Sequence, residues 1–334
     1  MGQRYVGIDL GGTKIAVGIV REPAENRFEI ETKIQAPTGL PREPEDLADE
    51  IFRLAVRLLD SQKRSFAEIE SVGIGIPGTV NQEKESVEYA NNFGFDNVPF
   101  VRMLRDRFPC PVYAENDAKS ASWAEYLAGS GQGSKSMVAV TLGTGVGGGL
   151  ILDGKIVSGV NASAGEFGHM VIRKNGRKCT CGRRGCFEAY ASASALVRSA
   201  KREAKKNPDS LLNQLCAGDR SAIDGKTIFE AVRAGDLTAK GVFDQYLDDL
   251  ADGIANIINI IQPEVLCIGG GISGAGEELL APLRQRVAPM IYSRGSEKNT
   301  RLVTAKLGND AGIIGAGVLC RLEKAIEKER IEKK

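Results

Sequence analysis

The feature that most constrains the fold of this chain is an internal repeat. Residues 6–20 read VGIDLGGTKIAVGIV and residues 138–152 read VAVTLGTGVGGGLIL, so a strand, a glycine turn and a second strand recur. A later pair, VGIGIPGTV at 72–80 and VLCIGGGIS at 265–273, places a glycine loop after an apolar run. Short apolar runs bounded by glycine are typical of buried strands. The repeat predicts two copies of one α/β unit, with both hairpin tips at a shared central cleft.

Length and charge support this two-lobe interpretation and exclude several partners. A chain of 334 residues has room for about two domains. The polar segment GSGQGSKS at 129–136 predicts the point where the chain passes from one lobe to the other. We therefore expect lobes at 1–133 and 134–334. A net charge of +1 with no basic stripe argues against nucleic acid as a partner. No apolar run approaches the roughly 18 residues of a membrane span, which argues against a membrane partner.

The tips of the two predicted hairpins carry groups that suit a phosphate. Backbone N–H groups, a hydroxyl and an ammonium can together surround an anion. The tip residues are Gly11, Gly12, Thr13, Lys14, Gly143, Thr144 and Gly145. Asp9, at the base of the first hairpin, could hold Mg²⁺ directly or through water. Tight hairpins also use glycine pairs for purely structural reasons, so an ordinary turn is the alternative. The sequence has no P-loop motif, which excludes a P-loop kinase.

Three cysteines and the single histidine of the chain lie close together between the repeats. His169, Cys179, Cys181 and Cys186 form a Cys₃His set, which is a common closed zinc site. The alternative is a disulfide or free thiols. The chain has an odd number of cysteines, seven, and no export signal is predicted before the first strand. A disulfide framework is therefore disfavoured, and a cytoplasmic protein with structural Zn²⁺ is expected.

Two glutamates flank the predicted metal ligands. Glu166 lies three residues before His169, and Glu188 lies two residues after Cys186. Carboxylates accept hydrogen bonds from neighbouring hydroxyls, so two of them beside an imidazole suit a polyhydroxylated ligand. The alternative is that both are solvated surface acids, the usual state of glutamate.

A second acidic position follows a predicted strand at 111–114. Asn116 and Asp117 stand between this strand and a helix predicted at 118–127. Ligands bind at the carboxyl ends of parallel strands, where an aspartate can take the proton of an attacking hydroxyl. Either residue could instead simply cap the helix. The residues alone leave these two roles open.

The sequence resembles the ROK family of repressors, open reading frames and sugar kinases. GEFGH at 165–169 and CTCGRRGCFE at 179–188 resemble the family signature, and the likeness extends along almost the whole chain. Within the family, LGNDAGIIGAG at 307–317 is most similar to the bacterial ATP-dependent glucokinases. The resemblance implies the actin-like ATPase (ribonuclease H-like) fold, a member of the α/β class with two lobes around a central cleft.

The resemblance also implies an activity and a set of site residues. The implied reaction is ATP-dependent phosphorylation of glucose at its 6-hydroxyl, with ATP and Mg²⁺, in a homodimer or homotetramer. END at 115–117 matches the segment that carries the catalytic base, which is then Asp117. The implied sugar ligands are Asn92, Asn116, Asp117, Glu166, His169 and Glu188. Gly270 and Gly271 would lie under the adenosine, although a plain tight turn is the alternative there. The segment around Asn92 departs from the family pattern, because Asn-Phe-Gly-Phe replaces Asn-Leu-Pro-Gly-Trp.

Three other functions are alternatives to this one. The sugar could be mannose, fructose, allose or an N-acetylhexosamine, since epimers differ by one hydroxyl. A sugar-sensing regulator of the same family would carry a helix-turn-helix domain, and no such domain is predicted before the strand that starts at Tyr5. A non-catalytic zinc module would not explain the two phosphate-type hairpins.

Overall fold

The computed structural model describes residues 2–322, which fall into two compact units. Of the described residues, the first unit takes in 2–136, 149–165 and 306–322. The second comprises Met137–Gly148 and Glu166–Ala305. The lobe limits expected at 1–133 and 134–334 stay a prediction. No helix within residues 2–322 combines the length and the apolar character that crossing a bilayer requires.

Strands and helices both occur in each unit, as expected for an α/β protein. The described strands are β1 (Gln3–Leu10), β2 (Lys14–Ala24), β3 (Arg27–Pro37), β4 (Val72–Ile76), β5 (Thr79–Asn81), β6 (Ser86–Ala90), β7 (Phe95–Val98), β8 (Val112–Asn116), β9 (Ser136–Leu142), β10 (Val146–Leu152), β11 (Lys155–Ile156), β12 (Val265–Gly269) and β13 (Arg301–Thr304). The described helices are α1 (Pro44–Ser61), α2 (Phe100–Arg105), α3 (Asp117–Ala128), α4 (Glu188–Ala191), α5 (Ala193–Lys206), α6 (Leu211–Leu215), α7 (Gly225–Arg233), α8 (Leu237–Ile261), α9 (Glu277–Val287) and α10 (Ala311–Gly317).

The predicted duplication is confirmed by the order of the strands in the two large sheets. One sheet has the order β3-β2-β1-β4-β8 and the other has the order β11-β10-β9-β12-β13. Each begins with antiparallel neighbours and ends with parallel ones, as β1–β4, β4–β8, β9–β12 and β12–β13 are parallel pairs. The hairpins that echo each other in sequence are therefore the corresponding strands of two copies of one sheet.

Glycines let helix α10 pack at backbone distance in the first unit. A Cβ added to Gly73 on β4 would lie 1.7 Å from the carbonyl oxygen of Ala316. A Cβ added to Gly315 on α10 would lie 1.7 Å from the carbonyl oxygen of Ser120 on α3. Real Cβ atoms cannot come so close, so only glycine allows these contacts. This packing fixes α3, and with it Asp117 at the first position of that helix.

A small third sheet presents the segment around Asn92. Strands β5, β6 and β7 form an antiparallel sheet, and residues 91–93 make a 3₁₀ turn between β6 and β7. Gly94 follows in the left-handed region with φ 66°. Phe93 and Phe95 are buried on either side, so the turn leaves Asn92 exposed at the surface of the first unit.

Candidate active site

The first glycine turn is held in place by Thr38. The Gly11 N–H donates to the carbonyl of Lys14 at 2.9 Å, which closes the turn between β1 and β2. The buried Thr38 donates its hydroxyl to the Gly11 carbonyl at 2.6 Å and its N–H to the Thr13 carbonyl at 3.0 Å. The tip residues between them remain exposed. A Cβ on Gly12 would lie 4.0 Å from the Asn92 side chain, so the structure brings these two predicted site residues together.

Asp9 lies beneath this tip against the start of α10. Burial raises the pKa of Asp9, and the charge of Lys14 opposes that rise. A Cβ on Gly312 would lie 2.8 Å from the carboxylate carbon of Asp9, so glycine is needed there. Asp9 and Lys14 line a cavity of about 390 Å³ that Lys33 and Asp310 also border. A half-buried carboxylate with open space beside it offers the oxygen ligands that a hard cation such as Mg²⁺ prefers.

The capping role that the sequence left open at the start of α3 belongs to Asn116. Its side-chain oxygen accepts from the Lys119 N–H at 3.1 Å, and its amide donates to the Gly78 carbonyl at 3.0 Å. Asp117 follows as the first helical residue, and its Oδ1 accepts from the Ala118 N–H at 2.8 Å. Strand β8 extends through Asn116, so Asp117 comes directly after the carboxyl end of a parallel strand.

In the second unit, Glu188 connects the second glycine turn to the cysteine-rich segment. One carboxylate oxygen accepts from the Val146 N–H at 3.0 Å. The other accepts from the Thr180 hydroxyl at 3.0 Å and lies 3.5 Å from the sulfur of Cys179. A Cβ on Gly145 would lie 2.4 Å from the first of these oxygens. The two parts of the stretch, predicted separately for phosphate and for sugar, therefore meet at one carboxylate.

The four predicted zinc ligands converge on one point. The ligand atoms of His169, Cys179, Cys181 and Cys186 all lie within 4.8 Å of one another. The Cys181 and Cys186 sulfurs are 3.7 Å apart, as are the Cys179 sulfur and His169 Nδ1. Zn–S bonds of about 2.3 Å put neighbouring sulfurs of a tetrahedron roughly 3.8 Å apart. A disulfide needs about 2.05 Å, so these sulfurs are not bonded to one another, and their spacing is compatible with a metal site.

Glu166 lies beside the other ring nitrogen of His169. Its carboxylate is 3.9 Å from His169 Nε2, across the 3₁₀ turn at Phe167–His169. The same turn packs tightly, because a Cβ on Gly168 would lie 2.2 Å from the Val146 carbonyl oxygen. The structure thus brings Glu166, His169 and Glu188 onto one segment of the second unit, with Glu166 exposed.

The cysteine-rich segment is anchored to helix α8 by a charged and aromatic cluster. Arg173 forms an ion pair with Asp249 of α8, whose carboxylate is buried. The Tyr190 ring has a guanidinium within 5.2 Å (Arg173) and another within 4.7 Å (Arg177). Its hydroxyl accepts from the Arg177 N–H at 2.6 Å. Burial raises the pKa of Asp249, and Arg173 opposes that rise. These contacts hold the cysteine-rich segment against helix α8.

A large pocket of the second unit joins the second glycine turn to the glycine turn after β12. Its volume is about 990 Å³, and Gly143, Thr144 and Gly271 are among its lining residues. Gly270 does not line it but is required by the backbone, with φ 84° and a Cβ position 2.3 Å from the Leu142 carbonyl oxygen. Two predicted phosphate residues, Gly143 and Thr144, and one predicted adenosine residue, Gly271, therefore border a single cavity large enough for a nucleotide.

Sequence reasoning did not assign a ligand-binding role to α5 and α7, the two helices that complete this pocket. Ser194 and Lys201 of α5 and Lys226 and Phe229 of α7 line it. The segment that leads into α7 reads as a polar surface loop. Its DGKT motif was the available signal, because Asp224 caps the helix through the Thr227 N–H at 2.9 Å and leaves Lys226 at the helix start. Only the folded chain brings these side chains to the glycine turns.

The chain is similar to bacterial glucokinases over nearly its whole length. The chain is 38% identical to a glucokinase of Thermotoga maritima over 330 residues, which cover 98% of each protein. It is 36% identical to a glucokinase of Streptomyces coelicolor, with 95% of this chain and 97% of that protein covered. A ROK family glucokinase from Streptomyces griseus, solved in complex with glucose and AMPPNP, superposes with a TM-score of 0.82 at 36% identity. That match covers 95% of this chain and 99% of the other.

The repeated sheets with their glycine hairpins define an α/β protein of the actin-like ATPase fold, the fold of the ROK sugar kinases. The match to the ROK family extends over residues 5–323, and the chain belongs to that family. The fold class expected from the sequence is thereby confirmed.

Proposed function

We propose that this protein is a glucokinase that transfers the γ-phosphoryl group of ATP to the 6-hydroxyl of glucose. The observation that carries the proposal is the near full-length likeness to the glucokinase solved with glucose and AMPPNP. The 990 Å³ pocket bordered by two glycine turns supports the nucleotide part of the reaction.

Asp117 is the proposed catalytic base. Its position after the end of β8, with Asn116 taking the role of helix cap, supports this assignment. The carboxylate takes the proton of the sugar 6-hydroxyl, whose oxygen then attacks the γ-phosphorus of ATP while the bond to the β-phosphate oxygen breaks and ADP leaves. The remaining proposed sugar ligands are Asn92, Asn116, Glu166, His169 and Glu188. That they bind one glucose together stays a prediction.

The nucleotide is proposed to lie along the glycine turns. The phosphates are assigned to Gly11, Gly12, Thr13, Lys14, Gly143, Thr144 and Gly145, and the adenosine to the turn with Gly270 and Gly271. Lys14 is a cation at an exposed tip, which suits a polyphosphate. Asp9 is the residue proposed to hold Mg²⁺, which neutralises phosphate charge when it is bound with ATP.

A structural zinc ion is proposed for His169, Cys179, Cys181 and Cys186. The support is the convergence of one nitrogen and three sulfurs at tetrahedral spacing. Such a site is closed, so the ion would hold the segment with Glu166 and Glu188 and would not activate water. A homodimer or homotetramer and a cytoplasmic location remain predictions beside it.

The test is a kinetic comparison of hexoses. ADP release is measured with ATP, Mg²⁺ and, in turn, glucose, mannose, fructose, allose and N-acetylglucosamine. We expect the highest kcat/KM for glucose, because the Streptomyces griseus ROK family glucokinase was solved in complex with glucose. A higher kcat/KM for another hexose would move the assignment to that sugar. ADP release that does not depend on any sugar would contradict a sugar kinase.

A further inference from the structure

Lys119 on helix α3 is buried in a place where a lysine is costly. Its exposed fraction is 3%, and lysine is almost never so buried unless it is paired. It also stands at the third helical position of α3, where the positive end of the helix dipole disfavours a cation. Such a cost calls for an explanation in terms of what the ammonium contacts.

The ammonium of Lys119 holds a strained residue. It donates to the backbone carbonyl of Ala162 at 2.7 Å, a neutral acceptor and not a carboxylate. Ala162 has φ 58°, in the left-handed region that costs a residue with a Cβ roughly 1–2 kcal/mol. Two unfavourable features therefore meet in one hydrogen bond, and strain of this kind concentrates at functional sites.

A second link holds the same segment. The hydroxyls of Thr79 and Ser163 lie 3.0 Å apart, one residue along from Gly78 and from Ala162 respectively. Gly78 in turn accepts from the side chain of Asn116, which also caps the Lys119 N–H. One small network of the first unit thus joins the proposed sugar ligand Asn116 to residues 162–163.

Residues 162–163 lie shortly before two proposed sugar ligands in the chain. Ala162 precedes Glu166 by four residues and His169 by seven, and both are proposed sugar ligands. Lys119 itself follows the proposed base Asp117 by two residues on the same helix. A hydrogen bond that fixes the Ala162 carbonyl therefore fixes the end of the first unit from which the chain continues to these ligands.

We infer that Lys119 is a positioning residue for sugar binding, which presets the backbone at Ala162 without contacting the substrate. The inference rests on the proposed function. Burial of the Lys119 ammonium then serves glucose affinity and not the stability of the fold alone.

The test compares Lys119→Met with the parent protein in glucose titrations and steady-state kinetics. Loss of one hydrogen bond from a charged donor is expected to raise the KM and the Kd for glucose about tenfold. We expect kcat to change by less than about threefold and the KM for ATP to stay unchanged, because neither Asp117 nor the nucleotide pocket is altered. Lys119→Arg, which keeps a charged donor, is expected to recover part of the affinity.

Arg321→Met is the matched control. Arg321 forms an ion pair of the same unit with Glu22, which is 7% exposed, at 2.5 Å. This variant should lower the melting temperature and leave the KM for glucose unchanged. If Lys119→Met behaves in the same way, Lys119 only stabilises the fold and the inference is wrong.

Ser163→Ala is a second test of the same network, for use if Lys119→Met does not fold. It removes the neighbouring link and leaves every charge in place, so it should raise the KM for glucose in the same direction by a smaller factor. If Ser163→Ala folds as well as the parent and keeps a parent-like KM for glucose, the inference is wrong. A parent protein that phosphorylates no hexose would instead overturn the proposed function, and the inference with it.

Discussion

The Glu188 carboxylate accepts a hydrogen bond from the Val146 N–H at 3.0 Å, so a proposed sugar ligand also holds the second glycine turn. Its other oxygen accepts from Thr180, between two of the proposed zinc ligands. A substitution at Glu188 is therefore expected to alter the conformation of the second glycine turn, and a substitution in that turn is expected to displace the Glu188 carboxylate.

Gly145→Ala should weaken glucose and ATP binding together. A Cβ there would lie 2.4 Å from the Glu188 oxygen and would displace the carboxylate from Val146. We expect the KM for glucose to rise about tenfold, the effect of one lost hydrogen bond to a charged group. Division of this stretch into a phosphate part and a sugar part would predict that a substitution at Gly145 spares sugar binding, whereas the contact with Glu188 predicts that it does not.

Gly143→Ala provides the comparison in the same turn. A Cβ on Gly143 meets no described atom within 4 Å, and this glycine lines the nucleotide pocket. Its effect should be confined to the KM for ATP. Measurement of both KM values in both variants separates the two roles, and unchanged glucose affinity in Gly145→Ala would show that Glu188 adjusts without loss.

Asp117→Asn should remove most of the activity and keep glucose binding. The amide retains the shape and can still hydrogen-bond the sugar, but it cannot take a proton. A general base contributes about 10² to 10⁴ in rate, so turnover should fall at least about a hundredfold. Calorimetry should give a glucose Kd within a few-fold of the parent. Near-normal turnover would leave Asp117 as a helix-start residue and the mechanism without its base.

The purified protein should contain about one zinc ion per chain, and Cys181→Ala should lose it. Three remaining ligands bind zinc more weakly, so the melting temperature and the glucose affinity should fall together. Cys110→Ala, outside the cluster, should keep the parent zinc content. Elemental analysis after purification without chelator decides the matter, since a parent protein without zinc would refute the site.

Gly315→Ala should destabilise the first unit strongly. Its Cβ would lie 1.7 Å from the Ser120 carbonyl oxygen, so α10 or α3 must move, at a cost of about 1–3 kcal/mol or more. Gly241→Ala, inside α8 with open space around it, should instead stabilise by roughly 0.5–1 kcal/mol. Chemical denaturation of both variants tests the pair, and equal stabilities would contradict the close packing of α10.

The sequence by itself determined the features that depend on local pattern. The repeated hairpins predicted two equivalent sheets because alternating apolar residues and glycine turns specify strand, turn and strand locally. The spacing of Cys179, Cys181 and Cys186 with His169 indicated a metal cluster because so short a segment has few ways to bring its sulfurs together. The order of residues 115–118 placed a carboxylate at the start of a helix. It did not determine which residue caps that helix.

Only the tertiary structure decided what depends on contacts between distant residues. The contact of Glu188 with Val146 spans 42 positions, and that of Lys119 with Ala162 spans 43. The lining of the pocket proposed for the nucleotide likewise arises from packing, since the local signal, the DGKT motif at the start of α7, does not say which other elements this helix meets. Local propensity cannot encode such pairs, because their free energy exists only once separate elements have packed against one another.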